Sequence, residues 1–202
     1  MLDKYAIDLI KPVVDKLARL LVRAGLRADH ITFAGFFIGV IAAILIAARA
    51  YPAGAMCILA SRLCDALDGA VARQTEATDA GGFLDISLDF LFYASIPLAF
   101  AFADPQANAL PAATLLAAFV GTGSSFLAYA VLAAKRGLTS SAHHPRKSFY
   151  FLGGLTEATE TLACFISMCL WPQYFATLAY LFSALCCVTI ATRICSGWQS
   201  LR

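Results

Sequence analysis

The chain has 202 residues, of which 60% are hydrophobic and only 14% are charged, and its formal net charge is +2. Soluble globular proteins carry about 25% charged residues, so this composition excludes an ordinary soluble domain. No repeat, low-complexity tract or linker divides the sequence. We therefore predict one integral membrane domain that spans residues 1–202.

The first 27 residues carry regularly spaced basic side chains among apolar ones, a pattern typical of an amphipathic helix in the membrane interface. A cleavable signal peptide is a poor alternative, because the segment lacks an uninterrupted apolar stretch of about 7 to 15 residues. Its basic residues are Lys4, Lys11, Lys16, Arg19, Arg23 and Arg27. We therefore predict an interfacial amphipathic helix over residues 1–27.

Six apolar windows follow, each close to the roughly 20 residues that a membrane-spanning helix needs. They cover residues 31–50, 53–73, 81–103, 109–133, 148–170 and 173–195. The expected fold is therefore an all-α integral membrane protein, in which six transmembrane helices within residues 31–195 follow the interfacial helix.

Basic residues between these windows set the expected orientation in the membrane. With the amino terminus in the cytoplasm, Arg49 is the only one that falls on the outer side. Those on the cytoplasmic side are Arg73, Lys135, Arg136, Arg146, Lys147 and Arg202. The junction between the second and third windows then faces the cytoplasm, and the small size of the chain favours a bacterial cytoplasmic membrane.

Four aspartates, Asp65, Asp68, Asp85 and Asp89, lie inside the second and third apolar windows. Their spacings of three and four residues place each pair on one helix face. A carboxylate at the centre of a membrane helix costs about 2.5 to 3.5 kcal/mol, so four uncompensated ones would oppose insertion. Two divalent ions, Mg²⁺ or Mn²⁺, would cancel the four charges and suit carboxylate oxygens.

Two small residues and an arginine follow the first aspartate pair. Gly69 and Ala72 leave room for a ligand to approach the helix backbone, and Arg73 can pair with a phosphate. Three features together indicate a polyphosphate substrate. They are the metal cluster, the small residues that leave space beside it, and an arginine at the cytoplasmic interface.

The run from Asp65 to Asp89 resembles the signature of the CDP-alcohol phosphotransferase family. In that signature two aspartates, a glycine, an alanine and an arginine precede a second glycine, here Gly81, and two further aspartates. The resemblance implies that a hydroxyl attacks the phosphorus of a CDP-linked donor and expels CMP. It also implies that all four aspartates hold the two ions and that Asp89 is the general base.

Further residues match, by position, the family's contacts to the CDP group. These residues are Gly69, Ala72, Arg73 and Thr78. Asp29 and Thr32 occupy the place of a polar family element that closes over the nucleotide. An alternative role for Asp29 is to cap the first span through its side chain.

Glu157 and Glu160 are three residues apart in the fifth window, so we expect them to share a helix face that points into the bundle. They can pair with Arg62 or Arg193, or recognise the acceptor. Family members that use phosphorylated acceptors often carry arginines in this region. The resemblance therefore favours a neutral polyol or an amino alcohol, although Lys135 and Arg193 could offset the like charge of a phosphate.

The expected function is transfer of a phosphatidyl group from CDP-diacylglycerol to a small alcohol. The alternative within the family moves phosphocholine or phosphoethanolamine from a CDP-alcohol to diacylglycerol, and a cation-binding transporter or channel is an alternative of another class. The expected partners are both substrates and membrane lipid, with no nucleic acid. Gly35 and Gly39 permit close helix approach, either within the chain or in a homodimer.

Overall fold

The computed structural model of the chain describes residues 3–137 and 154–202, with side chains from residue 10 onward. Within these two ranges every regular element is a helix, so the all-helical fold class is confirmed. The elements are α1 (Asp3–Arg23), α2 (Ala28–Ala47), α3 (Tyr51–Gln74), α4 (Asp79–Ala103), α5 (Pro105–Lys135), α6 (Ala158–Leu170), a 3₁₀ turn (Pro172–Tyr174) and α7 (Phe175–Ser200).

Four helical segments are long and apolar enough to cross a membrane. They cover residues 28–47, 79–103, 105–135 and 172–200. α3 has 24 residues but carries the charged side chains of the site, and α6 has 13. The fifth predicted window is described only from residue 154, and Arg146 and Lys147 lie outside the described residues.

Two helices begin at side chains that bond to the backbone of the first turn. Thr78 precedes α4, and Gly81 N donates a hydrogen bond to its Oγ1 at 3.0 Å. Asp104 precedes α5, and Ala107 N donates to its Oδ1 at 3.2 Å. Such N-caps satisfy amide groups that have no partner inside their own helix.

An aromatic core joins α4 to α6 and α7. Phe100 stacks on Phe175 with ring centroids 4.5 Å apart, and Phe92 meets Phe165 edge-on at 6.5 Å. All four side chains are at most 2% exposed. Because lipid tails are as apolar as these rings, close packing and ring contacts rather than water exclusion hold this part of the bundle together.

The predicted amino-terminal helix is present as α1, and one face of it packs on the rest of the chain. Val14 and Ala18 are buried in a cluster that includes Leu67 and Val71 of α3. α1 therefore lies beside the part of α3 that carries the first aspartate pair. Its location in the membrane interface stays a prediction.

Gly35 and Gly39 lie inside the bundle, where α2 packs on both α3 and α4. A Cβ at Gly35 would lie 2.9 Å from Cys64 Cβ on α3, and a Cβ at Gly39 would lie 2.6 Å from Phe92 Cδ2 on α4. The missing side chains thus allow close helix approach within one chain. The use of this glycine pair within the chain is confirmed, and a homodimer stays a prediction.

Candidate metal and nucleotide site

Three of the four predicted metal ligands converge between α3 and α4. One carboxylate oxygen from each of Asp65, Asp68 and Asp85 lies within 4.8 Å of the other two. These three residues are termed the acidic triad. Asp65 and Asp68 belong to α3, and Asp85 belongs to α4. The triad therefore brings together carboxylates from two different helices.

The acidic triad fits a divalent cation. Asp68 is 5% exposed, and its Oδ2 has no hydrogen-bond partner among the described residues. A buried carboxylate oxygen is costly unless a cation or a donor balances its charge. Carboxylate oxygens are the ligands that Mg²⁺ and Mn²⁺ prefer, so the donor set matches the predicted ions.

The triad opens into a cavity of about 230 Å³, a volume that includes space open to solvent. Helices α2, α3 and α4 all contribute to its walls. The lining residues are Thr32, Gly35, Phe36, Ser61, Arg62, Asp65, Asp68, Asp85, Leu88 and Asp89. All four predicted metal ligands therefore border one space, together with Thr32 from the predicted nucleotide contacts.

Asp89 lies outside the triad, one helical turn further along α4, and pairs with Arg62. Arg62 Nη1 donates a hydrogen bond to Asp89 Oδ1 at 2.5 Å and lies 3.4 Å from Asp65 Oδ1. The alternative in which Arg62 pairs with the glutamates of the fifth window is therefore wrong. Arg62 precedes Asp65 by three residues, and this helical spacing is the signal in the sequence that places it at the site.

Gly69 and Arg73, two of the predicted nucleotide contacts, lie together near the end of α3. Arg73 is exposed, and its Nη1 lies 3.3 Å from the point that a Cβ at Gly69 would occupy. The guanidinium therefore folds back over the glycine. A Cβ at position 69 would require this exposed side chain to move by only a few tenths of an ångström, so the contact by itself does not require a glycine.

Thr78 and Asp29 meet at Gly81, where the first turns of α2 and α4 come together. A Cβ at Gly81 would lie 3.1 Å from Thr78 Oγ1 and 3.2 Å from Asp29 Oδ1. The Thr78 hydroxyl caps α4, so its contact with a nucleotide stays a prediction. Asp29 lies inside α2, whose N-cap is Arg27, and the alternative role of Asp29 as an N-cap is therefore wrong.

The two glutamates lie at the start of α6 rather than along one helix face. Glu157 precedes the helix, and Gly154 N donates a hydrogen bond to its Oε1 at 3.1 Å. Glu160 Oε2 accepts a hydrogen bond from Glu157 N at 3.2 Å. The predicted shared face is wrong because α6 begins one residue after Glu157. Arg193 lies on α7, where its Nη1 donates to the backbone oxygen of Thr122 in α5 at 3.1 Å.

A comparison of the chain with known protein families gives a match that includes the residues of this site. The family described as CDP-alcohol phosphatidyltransferase matches residues 26–194, a range that contains the acidic triad, Arg62 and Asp89. The chain belongs to the CDP-alcohol phosphatidyltransferase family. The family expected from the aspartate signature is therefore confirmed.

Two related proteins match different lengths of this chain. The inner membrane protein YnjF of Escherichia coli (strain K12) is 51% identical over 202 residues, which is 100% of this chain and 98% of the relative. The archaetidylinositol phosphate synthase of Methanothermobacter thermautotrophicus is 41% identical over 83 residues, covering 41% of this chain and 39% of the relative. The full-length relative and the long apolar helices identify the chain as an integral membrane protein.

Two crystal structures of the Mycobacterium tuberculosis phosphatidylinositol phosphate synthase share the fold. The structure with CDP-DAG bound has a TM-score of 0.67 at 22% identity, and the match covers 93% of this chain and 94% of that chain. The structure in complex with manganese and citrate has a TM-score of 0.63 at 22% identity and covers 92% and 88%. At this level of identity the likeness establishes the fold alone.

Proposed function

We propose that this membrane protein transfers a phosphatidyl group from CDP-diacylglycerol to the hydroxyl of a small alcohol and releases CMP. The observation that carries the proposal is the acidic triad, which lies in the family signature and shares one cavity with Asp89. The arginine that folds over Gly69 suits a phosphate-bearing donor. A cation transporter would not need an arginine and a glycine beside the aspartates.

The acidic triad would hold a divalent ion, Mg²⁺ or Mn²⁺, through its three carboxylates. Such an ion draws negative charge from a bound diphosphate and orients it. The family resemblance implies two ions, with Asp89 among the ligands. The triad would hold one ion, and Asp89, which lines the same cavity, would help to hold the second.

Asp89 is the proposed general base. Arg62 holds its Oδ1, so Oδ2 is the atom assigned to accept the proton, and the side chain is 33% exposed. The acceptor oxygen forms a bond to the phosphorus that carries diacylglycerol, the bond from that phosphorus to the CMP oxygen breaks, and the hydroxyl proton passes to Asp89. A carboxylate placed within reach of the hydroxyl contributes a rate factor of about 10² to 10⁴.

The CMP part of the donor is assigned to the end of α3 and the starts of α2 and α4. The residues proposed to contact it are Gly69, Ala72, Arg73, Thr78, Asp29 and Thr32. Arg73 is exposed at the end of α3, where it can pair with a phosphate. Thr32 lines the same cavity from α2.

In the membrane, α2 to α7 would form six spans, in which α3 and α6 join the four long apolar segments. α1 would lie in the interface, with Val13 and Leu20, which are exposed, toward lipid. The site would face the cytoplasm of a bacterium, because Arg73 and Lys135 then lie on the inner side. Donor lipid tails would extend into the bilayer between spans while CDP enters from water.

The acceptor is expected to be a neutral polyol or an amino alcohol. Glu157 and Glu160 place two carboxylates at the start of α6, where they would oppose an acceptor phosphate, and Lys135 or Arg193 would offset only part of this charge. A phosphorylated polyol is the second candidate. It is favoured by the names of two related proteins, an archaetidylinositol phosphate synthase and a phosphatidylinositol phosphate synthase.

The purified protein with Mn²⁺ is expected to release CMP from CDP-diacylglycerol and not from CDP-choline. The reason is that a donor with lipid tails can reach the site from the bilayer while its cytidine enters from the aqueous side. Release of radiolabelled CMP measures the reaction, and lipid mass spectrometry identifies the product. CMP formed only from CDP-choline and diacylglycerol would instead support the alternative within the family, and cation flux without CMP would support a transporter.

The same assay distinguishes the two acceptor classes. Inositol, glycerol, serine and ethanolamine are each compared with glycerol 3-phosphate and inositol phosphate at equal concentration. We expect turnover with one of the unphosphorylated acceptors to exceed turnover with either phosphate ester. A clear preference for a phosphate ester would reject the neutral acceptor and leave the phosphatidyl transfer itself unchanged.

A further inference from the structure

We propose that one face of α1 binds the headgroup phosphates of anionic membrane lipids and that this contact stabilises α1 on the helices that carry the site. The face consists of Lys16, Arg19 and Arg23 and is termed the basic face. The inference goes beyond the proposed reaction, and it rests on the interfacial position proposed for α1.

The basic face lies on the side of α1 that points away from the rest of the chain. Val14 and Ala18 are buried, whereas all three basic side chains are exposed. Each basic residue follows Val14 or Ala18 by two or five positions. At about 100° per residue these steps lead to the opposite side of the helix. The three cations can therefore contact lipid without leaving the surface of the bundle.

A third face of α1 is apolar and exposed. Val13 is 61% exposed and Leu20 is 53% exposed, and Leu17 lies between them on the same face. The exposed apolar face of an interfacial helix enters the boundary between lipid headgroups and acyl chains. The basic face, which lies beside it on the helix, is then at the depth of the headgroups.

The three cations have no acidic partner in the described part of the chain, where every ion pair involves Arg62. Asp15, which precedes Arg19 by four residues, makes no ion pair with it. The charge of the basic face is therefore available to an external anion. Anionic lipid fits better than a soluble phosphate, because a lipid also covers the apolar face with its acyl chains.

Protein contacts alone attach α1 by a small area. From residue 10 onward, Val14 and the small Ala18 are its only fully buried side chains. The hydrogen bond that joins this part of α1 to α3 runs from Gln74 Nε2 to the backbone oxygen of Asp15, and it is 3.5 Å long and exposed. A helix held in this way gains stability from any ligand that binds only its docked position.

The buried side of α1 packs behind the metal and nucleotide site. Val14 and Ala18 belong to one cluster with Ile31 of α2 and Leu67 of α3. Ile31 directly precedes Thr32, and Leu67 directly precedes Asp68. Lipid that keeps α1 docked therefore supports the backbone beside a cavity residue and beside the buried member of the acidic triad.

Hydrogen exchange of the full chain in lipid nanodiscs tests the proposal. One set of discs contains phosphatidylcholine alone, and the other contains phosphatidylcholine mixed with phosphatidylglycerol. We expect phosphatidylglycerol to slow amide exchange at least about threefold in α1 and in the peptide of α3 that contains Leu67. Inorganic phosphate added to the phosphatidylcholine discs should not reproduce this effect.

The double substitution Arg19→Gln with Arg23→Gln should remove most of the response to phosphatidylglycerol, whereas Arg19→Lys with Arg23→Lys should keep it. The matched control is Arg136→Gln with Arg202→Gln, which removes two exposed arginines from the ends of α5 and of the chain. This control should respond as wild type does, because its arginines lie outside the basic face.

Equal exchange of wild-type α1 in the two kinds of disc would overturn the inference, as would an equal response of the Arg19→Gln, Arg23→Gln protein. Slowing in α1 without slowing in α3 would overturn the link to the site, and an equal effect of inorganic phosphate would overturn lipid as the occupant. Because the wild-type comparison decides by itself, a poorly folded variant would not prevent the test. CMP release from CDP-diacylglycerol is measured separately, so failure of the lipid response leaves the proposed function standing.

Discussion

Replacing Asp68 by asparagine is expected to abolish turnover and to weaken Mn²⁺ binding by more than about 100-fold. Asp68 is the buried member of the acidic triad, and its Oδ2 has no hydrogen-bond partner among the described residues. An amide removes the negative charge and replaces one potential ligand oxygen with a nitrogen that donates hydrogen bonds. Isothermal titration with Mn²⁺ and the CMP-release assay measure the two effects.

The matched control for this substitution is Asp79→Asn. Asp79 is an exposed acid in the first turn of α4, outside the cavity lining, so its loss should change Mn²⁺ binding by less than about twofold. An Asp68→Asn protein that folds and binds Mn²⁺ as wild type does would remove Asp68 from the ligand set. The triad would then no longer account for the metal site.

Replacing Asp89 by asparagine should lower the rate constant of the chemical step by about 10² to 10⁴, with much less effect on CDP binding. The asparagine side chain has nearly the same shape but cannot take the proton of the incoming hydroxyl. Because Asp89 lies outside the triad, Mn²⁺ binding to the three remaining carboxylates should persist. Single-turnover release of CMP and equilibrium binding of CDP separate the two quantities.

Asp79→Asn serves again as the control, since it removes an acid from the same helix without touching the cavity. Near-normal single-turnover rates in Asp89→Asn would show that another group accepts the proton. A loss of CDP binding as large as the loss of rate would instead make Asp89 a ligand of the metal or nucleotide rather than the base.

The aspartate spacing predicted which residues form the site, but it did not predict how they meet. The separations of three and four residues place each pair on one helix face, whereas the approach of Asp85 to Asp65 and Asp68 depends on how α4 packs on α2. That packing is set by Gly39 and Phe92, which are far apart in the sequence. The family signature therefore supplied what local spacing could not.

For two other residues, Arg62 and Glu157, the structure differs from what the sequence led us to expect. Arg62 was one of two arginines considered as partners of the glutamates, but its spacing of three residues before Asp65 places it on the face of the aspartates. The start of α6 is fixed by Thr189 of α7, whose Oγ1 accepts hydrogen bonds from Leu155 N at 3.1 Å and Thr156 N at 3.2 Å. That contact crosses about 34 residues and leaves no local pattern, whereas the capping pair of Glu157 and Glu160, three residues apart, was a local signal for a helix start at this point.

Equilibrium binding of radiolabelled CDP, with and without Mn²⁺, tests most directly whether the buried carboxylates hold a dication that grips a nucleotide diphosphate. The account predicts CDP binding in the presence of Mn²⁺, a loss of at least about 100-fold in affinity after chelation, and recovery when Mn²⁺ is restored. Equal affinity for CDP in metal-loaded and fully chelated protein would contradict it.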